Sequence, residues 1–303
     1  CALAAGAQLC VATDGLLLFP PRLVDFMEGE GVTVWKGVSS LLMYMARARV
    51  LDPARLTTLR HVLFGGETLP TGFLMQWMSI YPDKTYTNAF GPTEATGISL
   101  FHVMPAPPAD ASERIPIGIP CRGTEAYLLG DGDQPVPPGE VGELCLGGPC
   151  ISSGYLGDEA KTRRVFVADW TDGELAPRRI YRTGDLAWQR PDGVFEFAGR
   201  KDRQVKVMGY RIELGEVEHA VRALDDVRDA VVVLTPDART GLDELTAVFE
   251  AERTVEAAEV LGALRGCLPA YMVPRRAVQV EALPRGDRGK VDHPAVRALL
   301  EEA

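Results

Sequence analysis

The chain has 303 residues, of which 46% are hydrophobic and 24% are charged, and its formal net charge is -10. The length predicts two domains, or one large domain with an appendage, rather than one small core, and the composition is that of a folded globular protein. The acidic balance and the lack of a Lys/Arg cluster argue against nucleic-acid binding, and no apolar run approaches the roughly 20 residues that cross a bilayer.

Helical and strand patterns alternate between residues 21 and 90. The predicted elements are a helix over Arg22–Glu30, a buried strand over Val32–Trp35, an amphipathic helix over Ser39–Arg49, a strand over Leu59–Phe64, a helix over Gly72–Ile80 and a strand over Thr85–Phe90. Strand, helix and strand at this spacing are typical of βα units and a parallel sheet. Ligands bind such sheets at the carboxyl ends of the strands, where this chain has Gly65, Gly66 and Gly91.

Short strands and turns follow a Pro-rich loop over residues 104–110. The predicted strands are Glu125–Leu129, Gly142–Leu146, Ile180–Arg182 and Val194–Phe197, with glycines such as Gly173 between them. After Asp202, apolar residues at helical spacing over 214–224 begin a different pattern. It continues with strands Ala230–Leu234 and Leu245–Phe249, helix Val255–Leu264, strand Ala277–Val280 and helix Pro294–Leu300.

The predicted fold class is therefore α/β. The large core over residues 1–201 consists of a βα parallel-sheet region (1–110) and a β-rich subdomain (111–201). A small α+β domain over residues 202–303 is predicted to follow it, since about 100 residues suffice for a separate domain.

Two turns carry side chains suited to nucleotide chemistry. In the turn over residues 88–94, Thr93 is placed to donate to a phosphate and Glu94 to hold Mg²⁺; the alternative is a structural turn with a solvated carboxylate. Asp185 follows a strand, a position from which a carboxylate accepts hydrogen bonds from ribose hydroxyls. Its alternative is an ordinary Asp/Gly turn.

The order and spacing of several motifs together resemble those of one family. The motifs are GPTE at 91–94, GEL at 142–144, GYL at 154–156, YRTGDL at 181–186, GRKDRQVK at 199–206, GYRIE at 209–213, LPAYMVP at 268–274 and GKVD at 289–292. From about residue 20 to 295, the chain resembles the adenylation domain of nonribosomal peptide synthetases, in the superfamily of acyl-CoA synthetases and luciferases. The resemblance implies an enzyme that uses ATP and Mg²⁺ to form an aminoacyl-AMP, and then loads the phosphopantetheine thiol of a carrier protein.

The resemblance also implies the residues that bind ATP and the metal. They are Gly65, Gly66, Glu67, Asn88, Phe90, Thr93, Asp185, Phe197, Arg200 and Lys290 for ATP, and Glu94 for Mg²⁺. Phe90 would stack on the adenine, Asp185 would hold the ribose, and Arg200 would lie near ribose and phosphate.

Further roles fall on the C-terminal part. Lys290 would be the catalytic residue, because an ammonium delivered to the α-phosphate stabilises the negative charge that builds up there. Its alternative is a surface lysine in a turn. Asp202 would be the hinge about which the small domain rotates, and after rotation the loop with Lys206 and Gly209 would face the incoming thiol.

By resemblance, a pocket for the amino-acid side chain is implied at the positions of Lys36, Leu63, Gly65, Ala89, Gly97 and Ile98. All of these except Lys36 are small or apolar. A lone ammonium among them needs an anionic or strongly accepting partner, which predicts aspartate, a substituted aspartate or asparagine as the substrate. The alternative is that Lys36 extends to solvent or pairs with a carboxylate such as Glu67.

The chain departs from the family pattern in three places. Arg288 stands where the family often has Asn, and Phe90 stands where it usually has Tyr, which keeps the stacking face. The Ser/Thr/Gly-rich loop that wraps the β- and γ-phosphates, and the Asp that pairs with the substrate amino group, are both missing from these residues. We therefore expect a chain truncated ahead of residue 1, with little activity by itself.

Two other functions remain open on the sequence. An acid–CoA ligase shares the first half-reaction, and a non-catalytic fragment would fold and bind a partner without catalysis. The six cysteines form no CxxC pair and the four histidines lie far apart, which predicts no metal cluster of these residues and a reducing, cytoplasmic compartment. The chain begins Cys1-Ala2-Leu3, unlike a signal peptide.

Overall fold

The computed structural model describes residues 2–171, 177–237, 240–286 and 290–302. The chain divides into two compact units, Cys1–Asp202 and Arg203–Ala303. In the described part of the chain, no helix has the length and apolar character needed to cross a membrane. Gly173, predicted to separate two strands, lies outside the described residues.

A mixed five-stranded sheet with helices forms the first part of the first unit. Its elements are α1 (Asp14–Leu17), α2 (Pro20–Gly29), β1 (Val34–Val38), α3 (Ser39–Arg47), β2 (His61–Gly65), α4 (Thr71–Ile80), β3 (Thr85–Phe90), β4 (Leu100–Val103) and β5 (Ile119–Pro120). Strands β1, β2 and β3 are parallel neighbours, and β4 and β5 extend the sheet antiparallel. The predicted parallel βα region is confirmed.

Only one face of this sheet carries the core. Trp35, Phe64 and Tyr86 are buried on that face, because alternate strand residues point to opposite sides. On the other face, Val34 is 53% exposed and Lys36 is exposed. The predicted buried strand Val32–Trp35 was therefore wrong in two respects: the strand begins at Val34, and one of its faces is open.

A second sheet, in the order β10-β9-β7-β6 with β8 beside β9, completes the first unit. Its elements are β6 (Glu125–Leu129), β7 (Gly142–Gly147), α5 (Glu159–Val165), β8 (Phe166–Trp170), β9 (Arg178–Gln189) and β10 (Phe195–Arg200). A cluster of buried apolar residues that includes Leu100, Leu144 and Phe195 joins the two sheets. The predicted β-rich subdomain is confirmed, although β9 is much longer than the predicted strand Ile180–Arg182.

The second unit is a small α+β domain. Its elements are β11 (Gln204–Val207), β12 (Tyr210–Glu213), α6 (Leu214–Arg222), β13 (Val227–Pro236), β14 (Asp243–Ala251), α7 (Ala257–Arg265), β15 (Arg276–Val280) and α8 (His293–Glu302). Strands β13 and β14 are antiparallel, and β15 runs parallel to β14. Apolar clusters cover both faces of this sheet, as the alternation of Val231 and Val232 between them shows. The predicted order of helices and strands from residue 214 onward is confirmed, and the β11–β12 hairpin is an addition.

Candidate functional site

The carboxyl ends of β1, β2 and β3 meet at one edge of the first sheet. Lys36 pairs in register with Leu63, and Gly65 pairs with Ala89, so these four predicted pocket residues share one face. A Cβ on Gly65 would lie 1.8 Å from the carbonyl oxygen of Ala89, so no side chain fits there. Next to the lysine, this edge of the sheet therefore carries only small or apolar residues, Leu63, Gly65 and Ala89.

Lys36 is exposed on this face. This exposure agrees with the predicted alternative in which the lysine extends to solvent, and the assignment of Lys36 to a substrate pocket stays a prediction. The other predicted possibility was an ion pair between Lys36 and Glu67. The Glu67 carboxylate instead accepts hydrogen bonds from the backbone N–H (3.0 Å) and the hydroxyl of Ser40. Glu67 therefore caps the first turn of α3, a role that satisfies an otherwise unpaired helix N–H.

The loop over residues 91–99 closes tightly on the end of β3. The N–H of Ser99 donates to the carbonyl of Phe90 at 2.8 Å, and a Cβ on Gly91 would lie 2.6 Å from the Ser99 nitrogen. Gly97 and Ile98 belong to this loop, and the Gly97 carbonyl oxygen would lie 2.8 Å from a Cβ on Gly91. Thr93 is exposed in the single 3₁₀ turn of the loop. The loop therefore places a hydroxyl and two pocket residues beside the sheet edge.

Glu94 is a buried carboxylate in the same loop, 8% exposed. It accepts a hydrogen bond of 2.6 Å from the hydroxyl of Tyr155, and burial together with this bond raises the pKa of the tyrosine. Among the described residues, no group of three or more His, Cys, Asp or Glu side chains gathers here. The donor set fits Mg²⁺, which is usually held by one or two carboxylates together with substrate phosphates.

Asp185 and Arg200 form a buried ion pair across the β9–β10 ladder. The Arg200 Nη1 donates to Asp185 Oδ1 at 2.6 Å. The Asp185 side chain is 6% exposed and the Arg200 side chain is 12% exposed. Arg200 also donates to both carboxylate oxygens of Asp202, at 2.7 and 2.8 Å. Burial alone lowers the pKa of this guanidinium, but the two carboxylates outweigh it and raise the pKa above its ordinary value. The arginine therefore stays charged between two acids.

A second group of residues braces Asp185 and was not predicted as part of the site. The Thr183 hydroxyl donates to the carbonyl of Leu144 at 2.7 Å and accepts from the N–H of Asp185 at 2.9 Å. Glu143, 6% exposed, accepts from Arg182 at 3.0 Å and from the N–H of Gly184 at 3.3 Å. The signal was present in the sequence, since Glu143 and Thr183 stand inside the GEL and YRTGDL motifs, as Tyr155 does inside GYL.

An aromatic pair includes a residue of the same ladder, since Phe197 of β10 is the register partner of Ala187, two residues from Asp185. Phe90 at the end of β3 and Phe197 in β10 have ring centroids 6.4 Å apart. Asn88 lies two residues before Phe90 in β3, and its amide nitrogen donates to the carbonyl of Pro116 at 2.7 Å. Gly66, which directly follows β2, has a φ of 85°, in the backbone region that favours glycine. The first unit therefore holds the predicted adenine, ribose and metal residues in two places: Phe90 and Glu94 at and after the end of β3, and Asp185, Phe197 and Arg200 in the β9–β10 ladder.

The remaining predicted residues belong to the second unit. Lys206 and Gly209 lie in the β11–β12 hairpin, whose two-residue turn has positive φ at Met208 (51°) and Gly209 (81°). This is the turn that matches the twist of a hairpin and favours glycine. Lys290 is exposed, and its carbonyl accepts from the N–H of Gly286 at 2.9 Å. Arg288 and Gly289 lie outside the described residues.

Comparison with known proteins agrees with this arrangement. Tyrocidine synthase 3 from Brevibacillus parabrevis is 38% identical over 296 residues, which are 97% of this chain and 4% of that protein. The structure of the Vibrio cholerae adenylation domain AlmE in complex with glycyl-adenosine-5'-phosphate matches 99% of this chain and 55% of that chain, with a TM-score of 0.84 and 28% identity. Holo-PA1221, an NRPS protein containing adenylation and PCP domains, matches 92% of this chain and 47% of that chain, with a TM-score of 0.80 and 30% identity.

The chain thus spans about half the length of these solved structures and a small part of the curated synthase. The family model for the AMP-binding enzyme matches residues 1–156, and that for the AMP-binding enzyme C-terminal domain matches residues 216–290. The first of these alone covers more than half of the 303 residues. The chain therefore belongs to the AMP-binding enzyme family, the adenylate-forming ligases that include the adenylation domains of nonribosomal peptide synthetases.

Proposed function

We propose that the full-length natural protein containing this chain activates an amino acid with ATP as an aminoacyl-AMP, and transfers it to the phosphopantetheine thiol of a carrier protein in the cytoplasm. The observation that carries the proposal is the buried Asp185–Arg200 pair, which Thr183 and Glu143 brace and which lies in the same ladder as Phe197. A buried ion pair costs desolvation free energy, so it is weak evidence for stability and better evidence for a site that uses both charges.

The pair suits the ribose of a nucleotide. A carboxylate offers about four acceptor positions, so Asp185 can accept ribose hydroxyls alongside the bond from Arg200. The carboxylate is already oriented, because the backbone N–H of Asp185 donates to the Thr183 hydroxyl and the carboxylate oxygen Oδ1 accepts from Arg200. Orientation before binding lowers the entropy lost on binding. The adenine would then lie against Phe90 or Phe197.

Charge stabilisation is assigned to three residues of this chain. Glu94 would hold Mg²⁺, which neutralises phosphate charge when bound, and Tyr155 keeps the Glu94 carboxylate in place through its hydroxyl. The Thr93 hydroxyl is exposed and can donate to a phosphate oxygen. Lys290 is the exposed ammonium that would reach the α-phosphate during adenylation, after which the small domain would turn about Asp202 and bring the Lys206–Gly209 hairpin to the thiol.

The experiment is ATP–pyrophosphate exchange by the full-length protein across a panel of amino acids, with Asp185→Asn as the partner variant. We expect exchange with a narrow class of amino acids. A hydrogen bond that involves a charged group contributes about 1.5–3 kcal/mol, so the variant should lose about 10- to 100-fold in kcat/KM for ATP. Normal kcat/KM for ATP in Asp185→Asn would show that this carboxylate does not bind the nucleotide.

The second half-reaction is tested by offering either CoA or a phosphopantetheinylated carrier protein to the preformed adenylate. We expect acylation of the carrier protein. Acylation of CoA alone would identify an acid–CoA ligase, and exchange with no amino acid at all would leave the non-catalytic alternative.

The proposed substrate is aspartate, a substituted aspartate or asparagine. Support comes from Lys36, which shares a sheet face with Leu63, Gly65 and Ala89 and offers the one cation among these neighbours. Lys36→Met keeps the length of the side chain and removes its charge. We expect the variant to lose preference for aspartate over aliphatic amino acids in the exchange panel; equal activation of aspartate by both proteins would refute the assignment.

A further inference from the structure

Two carboxylates stand directly opposite each other in the second unit. Asp229 of β13 and Glu250 of β14 are register partners in the antiparallel ladder, and their side chains are 25% and 18% exposed. Like charges at directly opposite positions of a strand pair destabilise the sheet. A cation between the two carboxylates offsets this repulsion.

Arg285 is a cation that both carboxylates face. Its Nη2 donates to Asp229 Oδ2 and lies 3.9 Å from Glu250 Oε1. Asp229 also accepts from Arg222 Nε at 2.8 Å. Burial raises the pKa of Asp229, but the bonds from Arg222 and Arg285 outweigh it and hold the pKa below its ordinary value. The acid is therefore ionised, and the arginine is held by charge as well as by geometry.

Arg285 is also the base of the loop that carries Lys290. It forms a β-bridge with Val291, the N–H of Gly286 donates to the carbonyl of Lys290 at 2.9 Å, and the N–H of Asp292 donates to the carbonyl of Pro284 at 2.8 Å. Both ends of the loop are thereby tied together at this residue. The carboxylates of the sheet hold one strand of that stem.

Glu250 holds the same stem at a second point. Its Oε1 accepts from the N–H of Leu283 at 2.8 Å, two residues before the arginine. One carboxylate thus fixes the backbone that leads into the loop, while the other fixes the guanidinium at its base. Lys290 itself is exposed, so its placement depends on this stem rather than on burial of its own side chain.

We propose that Asp229 and Glu250, acting through Arg285, are positioning residues that set the location of the Lys290 ammonium during adenylation. The inference rests on the catalytic role proposed above for Lys290. A charge acts on a transition state only if it is delivered within a fraction of an ångström, and a displacement of about 1 Å costs on the order of 10²-fold in rate. The stem supplies that precision to a flexible side chain.

The test is Arg285→Gln in the full-length protein, with two rates measured. We expect kcat for ATP–pyrophosphate exchange to fall about 10- to 100-fold, while transfer of the acyl group from preformed aminoacyl-AMP to the carrier protein keeps its rate. Arg285→Lys, which keeps a cation between the carboxylates, should recover most of the exchange. Equal loss in both half-reactions would mean general damage to the fold, and the inference would be wrong.

Arg253→Gln is the matched control. Arg253 also pairs with two carboxylates of the second unit, Asp226 and Glu259, each at 2.8 Å, and makes no described bond to the Lys290 stem. Both rates should stay normal in this variant. A selective loss of exchange in Arg253→Gln would show that removing any such arginine has the same effect, which contradicts a specific role of Arg285.

Two more variants separate positioning from stability and from the proposed function. Adding Asp229→Asn to Arg285→Gln removes the like-charge repulsion, so the melting temperature should recover while exchange stays low; recovery of exchange would overturn the positioning role.

Lys290→Ala should lose about 10²–10³-fold in exchange. Normal exchange in Lys290→Ala defeats the proposed role of the lysine, whereas its loss together with normal exchange in Arg285→Gln defeats this inference alone.

Discussion

At the scale of single residues, Gly65 is fixed by space rather than by backbone freedom. A Cβ there would lie 1.8 Å from the Ala89 carbonyl oxygen, and a backbone atom cannot move aside as a flexible side chain can. We predict that Gly65→Ala lowers the free energy of unfolding by about 1–3 kcal/mol, the usual range for overpacking a filled site. The midpoint of urea unfolding, with the slope unchanged, measures the effect.

Gly262→Ala is the control for this change. Gly262 lies inside α7, and a Cβ there would meet no atom within 4 Å. Alanine favours a helix over glycine by about 1 kcal/mol, so the control should raise stability. If both variants shift the midpoint in the same direction, the close approach of β2 and β3 at Gly65 does not limit that position.

A single charge in β10 makes stability depend on pH. Glu196 is 8% exposed, and burial raises the pKa of its carboxyl above 4.5, with partial compensation by Arg190 and Arg114. A raised pKa means that the folded state binds protons more readily than the unfolded state, so the contribution of Glu196 to stability is present at low pH and is lost as pH rises through the folded-state pKa. Glu196→Gln removes that loss.

We therefore predict that Glu196→Gln raises the melting temperature at pH 8, that the advantage shrinks as pH falls through the raised folded-state pKa, and that it is gone below 4.5, the ordinary pKa of the group. Glu140→Gln, at an exposed position, should change little at either pH. An advantage of Glu196→Gln that stays constant across the titration would assign the effect to packing rather than to ionisation.

At the scale of elements, the connection between the two units is a short segment fixed on both sides. The N–H of Lys201 donates to the carbonyl of Gly184 at 2.9 Å, and Arg203 donates to both oxygens of the buried Glu218 at 2.9 and 2.6 Å. Asp202 lies between these anchors. It is the residue at which a proposed rotation would take place, and its carboxylate binds Arg200 in the conformation described.

We predict that Asp202→Pro slows the alternation between adenylation and thiol transfer, because proline fixes φ and restricts the preceding residue as well. Each half-reaction measured separately should fall less than the overall rate of carrier loading. Asp202→Ala, which removes the same carboxylate but leaves φ free, should load the carrier protein faster than the proline variant. Equal overall rates in the two variants would argue against a hinge at this position.

Elements with regular residue patterns were predicted well, whereas irregular strand pairing and contacts between residues distant in the sequence were not. The bounds of β3 agree with the predicted strand Thr85–Phe90, four of whose six residues are β-branched or aromatic. The predicted strand was too short because Gly184 is a residue typical of turns. In the structure, β9 continues through Gly184, and the pairing with β7 has an irregularity at that point. The bond between Tyr155 and Glu94 joins residues 61 positions apart, a contact on which local periodicity carries no information.

At the scale of the whole molecule, the two units have separate cores. In Arg203–Ala303, apolar residues fill both faces of the β13–β14–β15 sheet, one face packed under α6 and α7 and the other under α8. Buried side chains on the two sides include Val217, Phe249 and Leu264, and Val231, Val248 and Val296. A unit of about 100 residues with its own core meets the ordinary requirements for an independent domain.

We therefore predict that residues 203–303, expressed alone, unfold in one cooperative thermal transition with an enthalpy of about 60–80 kcal/mol, the usual value for about 100 residues. Calorimetry measures the enthalpy, and agreement with the van't Hoff value tests the two-state behaviour. Leu264→Ala, at a fully buried position, should remove about 2–5 kcal/mol and abolish or greatly lower the transition. A broad transition without a heat-absorption peak in the unsubstituted unit would mean that its core depends on the rest of the chain.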